Sequence, residues 1–430
     1  MSGHGHLIDS TLSLLAHGYA WAPDLRRAHG GAPLVHTRLM GRHAVLLHGP
    51  DAVDLFYDEG RIQRHDALPA QVVDTLFGRG AVHTLDGARH RERKQMLVSL
   101  LMAPDGIGAL TARVERGWRE AVTGWEDRSV VLFDEVAALL AGATCDWAGL
   151  PVPDDAAREI AEDCVAMVDG FATAGPRHVR ARRARQRQEQ GLMAAVDRMR
   201  AGKENRRPET VAETVALHRE PDGTRLDPHT AAVELLNIIR PTVAVTWYVT
   251  FAAHALQRHP GRRDHLRTDG PGYAFAFAQE VRRFYPFVPF IGGLAAEDLS
   301  FAGDRIPAGT LVLLDVYGQH HDPELWERPY HFDPARFLGH EGHEPGRGEL
   351  VPQGGGDART GHRCPGEDIT LALLGTLAPA LARLDLAVPQ QDLSIPLSRI
   401  PTRPRSGFVM GVESRSDRHR GRQMVGGGRR

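Results

Sequence analysis

The sequence predicts a mainly α-helical domain that carries small β-sheets. Three observations predict it: helical apolar spacing from about residue 86 to 285, short alternating segments on either side of it at 33–48 and 297–318, and 42% hydrophobic against 25% charged residues, enough for a large core. Across 430 residues, 52 Lys+Arg face 54 Asp+Glu for a formal charge of −2, so no strong field draws nucleic acid or an anionic membrane. Cys145, Cys164 and Cys364 are too few and too scattered for a disulfide framework, and no CxxC pair offers a zinc or redox site. A reducing, cytoplasmic setting is expected. The opening residues hold only a short apolar stretch broken by His and Gly, far below the ~20 residues that span a bilayer, so no signal peptide or membrane anchor is expected. One domain is expected over 1–412, and 413–430, without apolar periodicity, as a disordered tail.

In chain order, PLVHTRLMGRHAVLLH at 33–48 reads as a hairpin around a Gly-Arg turn, and Pro50 suits the start of a helix. The Arg-rich stretch 176–200 reads as an amphipathic helix with a solvated face rather than a nucleic-acid patch, because acidic residues elsewhere cancel its charge. Asp227 and Pro228 suit an N-cap and first helical position, opening a helix expected to run to about residue 258. Beyond Pro286 come short strands, a Pro- and His-rich region, and a final helix expected from residue 365.

Three features carry chemistry. In QGGGDARTGHRCPGEDITLALLG, 353–375, a glycine-rich loop delivers Cys364 to a helix start, with Pro365 expected at the first helical position. A sulfur there faces unpaired N–H groups, which favour thiolate over thiol. Cys145 and Cys164 lie inside helical apolar patterns and read as structural. In QEVRRFYPF, 279–287, Glu280 and Arg283 share one helical face, and Arg336 follows in FDPARF. In LLNIIRPTVAVTWYVTF, 235–251, Arg240 is a single cation in an apolar run. A buried guanidinium needs an anion, which the residues alone leave open between a protein carboxylate and a ligand. Pro241 beside it frees the carbonyl of Asn237 and predicts a kink.

The order of these features, from roughly residue 30 to 410, resembles the haem-thiolate cytochrome P-450 superfamily. Arg240-Pro241 in place of the usual acid-alcohol pair, with HTLDGARHRERKQ, RRFYPFVPF and QGGGDARTGHRCPGE, resembles its fatty-acid peroxygenase branch. The resemblance implies haem b held by Cys364 thiolate, and Glu280, Arg283 and Arg336 as a buried structural triad. It implies that Arg240 binds the fatty-acid carboxylate, which supplies the acid-base group for hydrogen peroxide cleavage, so that no redox partner is obligatory. Oxidation would fall on the alpha and beta carbons, with His83 near them, and loss of the carboxylate to a terminal alkene would accompany hydroxylation if the imidazole is active. His90, Lys94 and His362 would contact haem propionates, while Pro241, Phe77, Phe171, Phe287 and Phe290 would line the substrate site. Two other readings remain at this stage: a ferredoxin-dependent monooxygenase using Thr242 as the oxygen-activating alcohol, and a non-catalytic haem sensor or carrier.

Overall fold

The computed structural model describes residues 9–126, 128–171, 173–201, 208–340, 346 and 348–412. The tail expected at 413–430 lies outside the described residues. The expected hairpin forms as β1 (Leu34–Leu39) and β2 (Arg42–Leu47). Its two-residue turn is Met40-Gly41 rather than Gly-Arg, with φ of 52° and 76°, the doubly positive pair that lets a tight turn follow the twist of its strands.

β3 (Ile62–Gln63), β4 (Phe290–Ala295) and β5 (Leu311–Asp315) complete a five-stranded sheet in the order β1-β2-β5-β4-β3, with β2 and β5 parallel and the other pairs antiparallel. Alternation along β2 and β5 buries both faces: Val45, Leu47, Val312 and Leu314 join one core, and Ala44, Leu46, Leu311 and Leu313 the other. A three-stranded sheet pairs Ser129–Val131 and Leu386–Ala387 on either side of Val409–Val412.

The helical body between these strands includes α1 (Gly87–Leu101), α2 (Pro104–Trp125), α3 (Leu132–Ala148), α4 (Asp154–Gly170), α5 (Pro176–Arg200), α6 (Pro228–Val243), α7 (Val245–Arg258), α8 (Gly270–Phe284) and α9 (Glu367–Arg383). Most of the outward residues of α5 are charged and exposed, as its pattern predicts, but Arg185 points inward. Asp227 caps α6 by accepting from the Thr230 N–H at 3.0 Å.

The helix expected to run to about residue 258 with a kink at Pro241 divides at Ala244, three residues past that proline, where ψ opens to −12°. Pro241 has no N–H for the Asn237 carbonyl, so the ladder is interrupted one turn earlier and the break follows. The run Pro228–Arg258 is apolar and long enough to cross a membrane, yet 94% of its apolar window is buried within the protein. It is the central core helix.

Candidate active site

Cys364 comes from an irregular loop pinned at both ends of its glycine-rich stretch. Its own N–H donates to the Gln353 carbonyl at 3.1 Å, and Gln353 Nε2 lies 3.7 Å from its sulfur and 3.1 Å from Thr370 Oγ1. Glycine is required here by crowding, since a Cβ at Gly354 or Gly355 would stand 2.6 Å from the Tyr57 hydroxyl or the Val53 side chain. Two expectations are corrected. Helix α9 begins at Glu367, capped by Gly366, so Pro365 precedes it instead of occupying its first position. Burial raises the Cys364 thiol, outweighing the Gly366 N–H and the Lys94 charge that favour thiolate. The helix start alone does not make the thiolate. Cys145 and Cys164 lie inside α3 and α4, where burial pushes the thiol of Cys145 up to about 11 and that of Cys164 higher still.

The loop is clamped to α8. Arg282 pairs with Glu367 in the first turn of α9, and Arg363 Nε donates to the same carboxylate at 2.8 Å. Next to it, Arg283 meets both oxygens of Glu280 at 2.7 Å and donates to the carbonyls of His320, Pro329 and His331. Arg336 Nε lies 3.2 Å from Glu280, completing a three-residue ion cluster that ties α8 to the segment 320–336.

Lys94 and His90 sit one turn apart on α1, both buried, with Lys94 donating to the Arg363 carbonyl. The His90 ring stacks on His362 at 3.8 Å between centroids. Burial, then the neighbouring His362, pushes His90 down to about 3; burial likewise lowers His362, and lowers Lys94 to about 8. Both imidazoles are therefore neutral near pH 7. Glu59 adds a carboxylate, bringing three ligand atoms within 4.8 Å of one another. Lone pairs lie in the ring planes, however, and rings stacked at 20° do not converge on one ion.

Arg240 lies on the inner face of α6, 6% exposed. Its Nη2 donates to Asn237 Oδ1 at 3.2 Å, its Nε is buried with no hydrogen-bond partner, and its guanidinium lies 5.9 Å from the Phe77 ring. Among the described residues no carboxylate pairs with it. Burial, reinforced by the like charge of Arg185, lowers it to about 9, so it stays charged at neutral pH. Cys364 is within electrostatic reach of it. Thr242 is occupied, donating to the Ile238 carbonyl at 2.8 Å.

His83, in the turn Val82–Thr84, packs 4.5 Å from the Phe77 ring and has a buried Nδ1 without a hydrogen-bond partner. Burial, then the Arg240 charge, holds it well below the ordinary histidine range. It is a neutral imidazole.

Of the four phenylalanines singled out, Phe77 stands beside Arg240 and His83. Phe287 packs on Trp247 and Tyr248 at 5.9 and 5.0 Å, Phe171 ends α4, and Phe290 opens β4 against Trp21 at 5.7 Å. Sequence reasoning missed Gln353, which neighbours the sulfur, Asn237, which contacts Arg240, and Arg64, buried with an orphan Nη1. Asn237 carried a signal, being the one amide in the apolar run; Gln353 and Arg64 carried none, because their roles depend on distant segments.

A loop-borne sulfur at a helix start, clamped to α8 through Arg282, Glu367 and Arg363 and within electrostatic reach of a buried cation, fits the haem-thiolate class of oxidoreductase. A family model described as cytochrome P450 matches residues 272–406, which include Cys364 and neither other cysteine. Cytochrome P450SP alpha (CYP152B1), solved with (R)-ibuprofen, is 42% identical at a TM-score of 0.89, with 94% of this chain and 98% of that one covered. Cytochrome P450EX alpha (CYP152N1), solved with myristic acid, is 33% identical at 0.88, covering 96% and 97%. An OleT variant in complex with arachidonic acid is 35% identical at 0.89, covering 94% and 96%. The chain belongs to the cytochrome P450 family, and within it to the CYP152 branch of fatty-acid peroxygenases.

Haem b with a cysteine thiolate ligand is the cofactor of this family. The residues fit it: one sulfur with a polar donor beside it, then buried Lys94 near His90 Nδ1 and Arg64 Nη1, two buried nitrogens without a hydrogen-bond partner, and His362, whose Nε2 lies 3.5 Å from Asp86, a donor set suited to carboxylates.

Proposed function

We propose that this enzyme oxidises long- or medium-chain fatty acids at the alpha or beta carbon with hydrogen peroxide, and that Arg240 grips the substrate carboxylate. One observation carries the reading: a buried guanidinium with an unspent Nε and no carboxylate among the described residues to neutralise it. An isolated buried charge costs several kcal/mol, so the protein holds a site for an anion. The three relatives above, each solved with a carboxylic acid, support the choice of that anion.

Cys364 would ligate the iron, while Lys94, His90 and His362 would receive the propionates. When bound, haem b supplies the chemistry that activates peroxide. Arg240 would bind the acid through a charge-assisted fork, which both anchors and orients it in a dry setting. The bound carboxylate then lies where it can accept and return a proton during peroxide cleavage, so no electron-transfer partner is needed. Anchoring the head group restricts attack to the alpha and beta carbons. His83, held neutral, offers one nitrogen as donor or acceptor near those carbons and sets the share of alkene formed beside hydroxy acid. Pro241 opens the groove, and Phe77, Phe171, Phe287 and Phe290 line the path of the alkyl chain. The setting is cytoplasmic. The likeness to the CYP152 structures supports this reading over the ferredoxin-dependent one and over a non-catalytic haem carrier.

Mass spectrometry of products formed with peroxide alone, against products formed with reductase, ferredoxin and NAD(P)H, tests the proposal. Peroxide alone should give alpha- or beta-oxidised acids. Turnover only with the electron-transfer proteins would reject it.

A further inference from the structure

Glu234, Asn237 and Arg240 follow one another at intervals of three along α6 and share one buried face, at 0%, 7% and 6% exposure. Glu234 is already engaged: its Oε1 accepts from the Val82 N–H at 2.7 Å and from Arg93 Nη1 at 2.8 Å. Asn237 stands between this carboxylate and the guanidinium. Its Oδ1 accepts from Arg240 Nη2 at 3.2 Å, and its Nδ2 donates to the Phe77 carbonyl at 2.9 Å. The amide has one workable orientation, since exchanging O and N would set donor against donor and acceptor against acceptor.

The Phe77 carbonyl is itself fixed. Arg185 reaches in from α5, donating to the carbonyls of Leu76 and Phe77 at 2.7 and 2.8 Å, while its Nε donates to Glu189 at 2.6 Å. Gly78, at φ 86°, permits this approach, because a Cβ there would meet Arg185 Nη2 at 2.1 Å. The chain Glu189, Arg185, Phe77 carbonyl, Asn237 thus ends on one edge of the Arg240 fork.

We infer that Asn237 is a positioning residue for the carboxylate receptor: a neutral acceptor that fixes one edge of Arg240 without spending its charge, and a spacer that separates it from Glu234. This rests on the proposed carboxylate role of Arg240. An aspartate in its place would neutralise the guanidinium. An alanine would leave Nη2 without its acceptor and the fork free to turn.

The holoenzyme variants Asn237→Asp, Asn237→Ala and Arg240→Leu are titrated with myristic acid and with the uncharged alcohol of the same length, following the haem absorbance shift on binding. Asn237→Asp should weaken myristic acid by about 30-fold or more, the loss of a charge-assisted contact, with alcohol binding and the ferrous carbonyl spectrum unchanged. Asn237→Ala should weaken the acid by about 5-fold, with the change in kcat exceeding that in KM as the head group loses its alignment. Wild-type affinity for the acid in Asn237→Asp, while Arg240→Leu loses it, overturns the inference and leaves the proposed function standing. Undiminished affinity in Arg240→Leu overturns the proposed function itself. Equal losses of acid and alcohol in Asn237→Asp would assign Asn237 to packing and also reject the inference.

Discussion

Two arginines of this protein are buried to nearly the same degree and are spent in opposite ways. Arg283, 1% exposed, gives every donor edge to the protein: both oxygens of Glu280 and three backbone carbonyls. Arg240, 6% exposed, has one hydrogen bond to a neutral amide and an orphan Nε. Burial therefore does not separate a structural cation from a functional one. Pairing does, because a guanidinium already met by a carboxylate, like Arg283, gains little from a ligand, whereas one with no carboxylate among the described residues gains when an anion arrives.

Breaking the paired member should cost most. Glu280→Ala strands the Arg283 and Arg336 charges, and destabilisation of about 3–5 kcal/mol is expected, with most of the haem lost; haem content and thermal unfolding measure both. For the unsatisfied member the effects should invert. Arg240→Leu should leave unfolding unchanged or raise stability by about 1 kcal/mol, since it removes an uncompensated charge, while peroxide-driven fatty-acid turnover falls by about 100-fold or more. A short free carboxylic acid added with an uncharged substrate should restore no activity to that variant. It should support turnover by the wild type, whose guanidinium can hold it.

A third buried cation sharpens the comparison because its charge is conditional. His48 Nε2 meets Asp322 at 2.6 Å, and Nδ1 lies 3.6 Å from Asp315. Burial pushes its pKa down, but the two aspartates outweigh burial and hold it above the ordinary value. The resulting stability is full below the unfolded value of about 6.5 and is lost as pH rises through the folded value. His48→Gln should thus lower the melting temperature most at pH 6, and the gap to wild type should narrow on the alkaline side; a pH-independent gap would show that the charge contributes nothing. The smallest effect is expected at Thr242, where Val removes only a back-bond within α6. Stability should change by about 1 kcal/mol or less, and peroxide-driven activity should persist.

The sequence by itself determined the helical class, the hairpin, the delivery of Cys364 by a glycine-rich loop and the anomaly of Arg240-Pro241. Each is written in local spacing: apolar period, turn residues, a lone charge in an apolar run. Only the tertiary structure decided whether an acid from another element would neutralise Arg240, where the long helix would break, and that burial outweighs the helix start at Cys364. It also brought Gln353 to the sulfur, Arg185 to the Phe77 carbonyl and Asn237 between two charges. These depend on desolvation and on partners remote in sequence, and local spacing encodes neither.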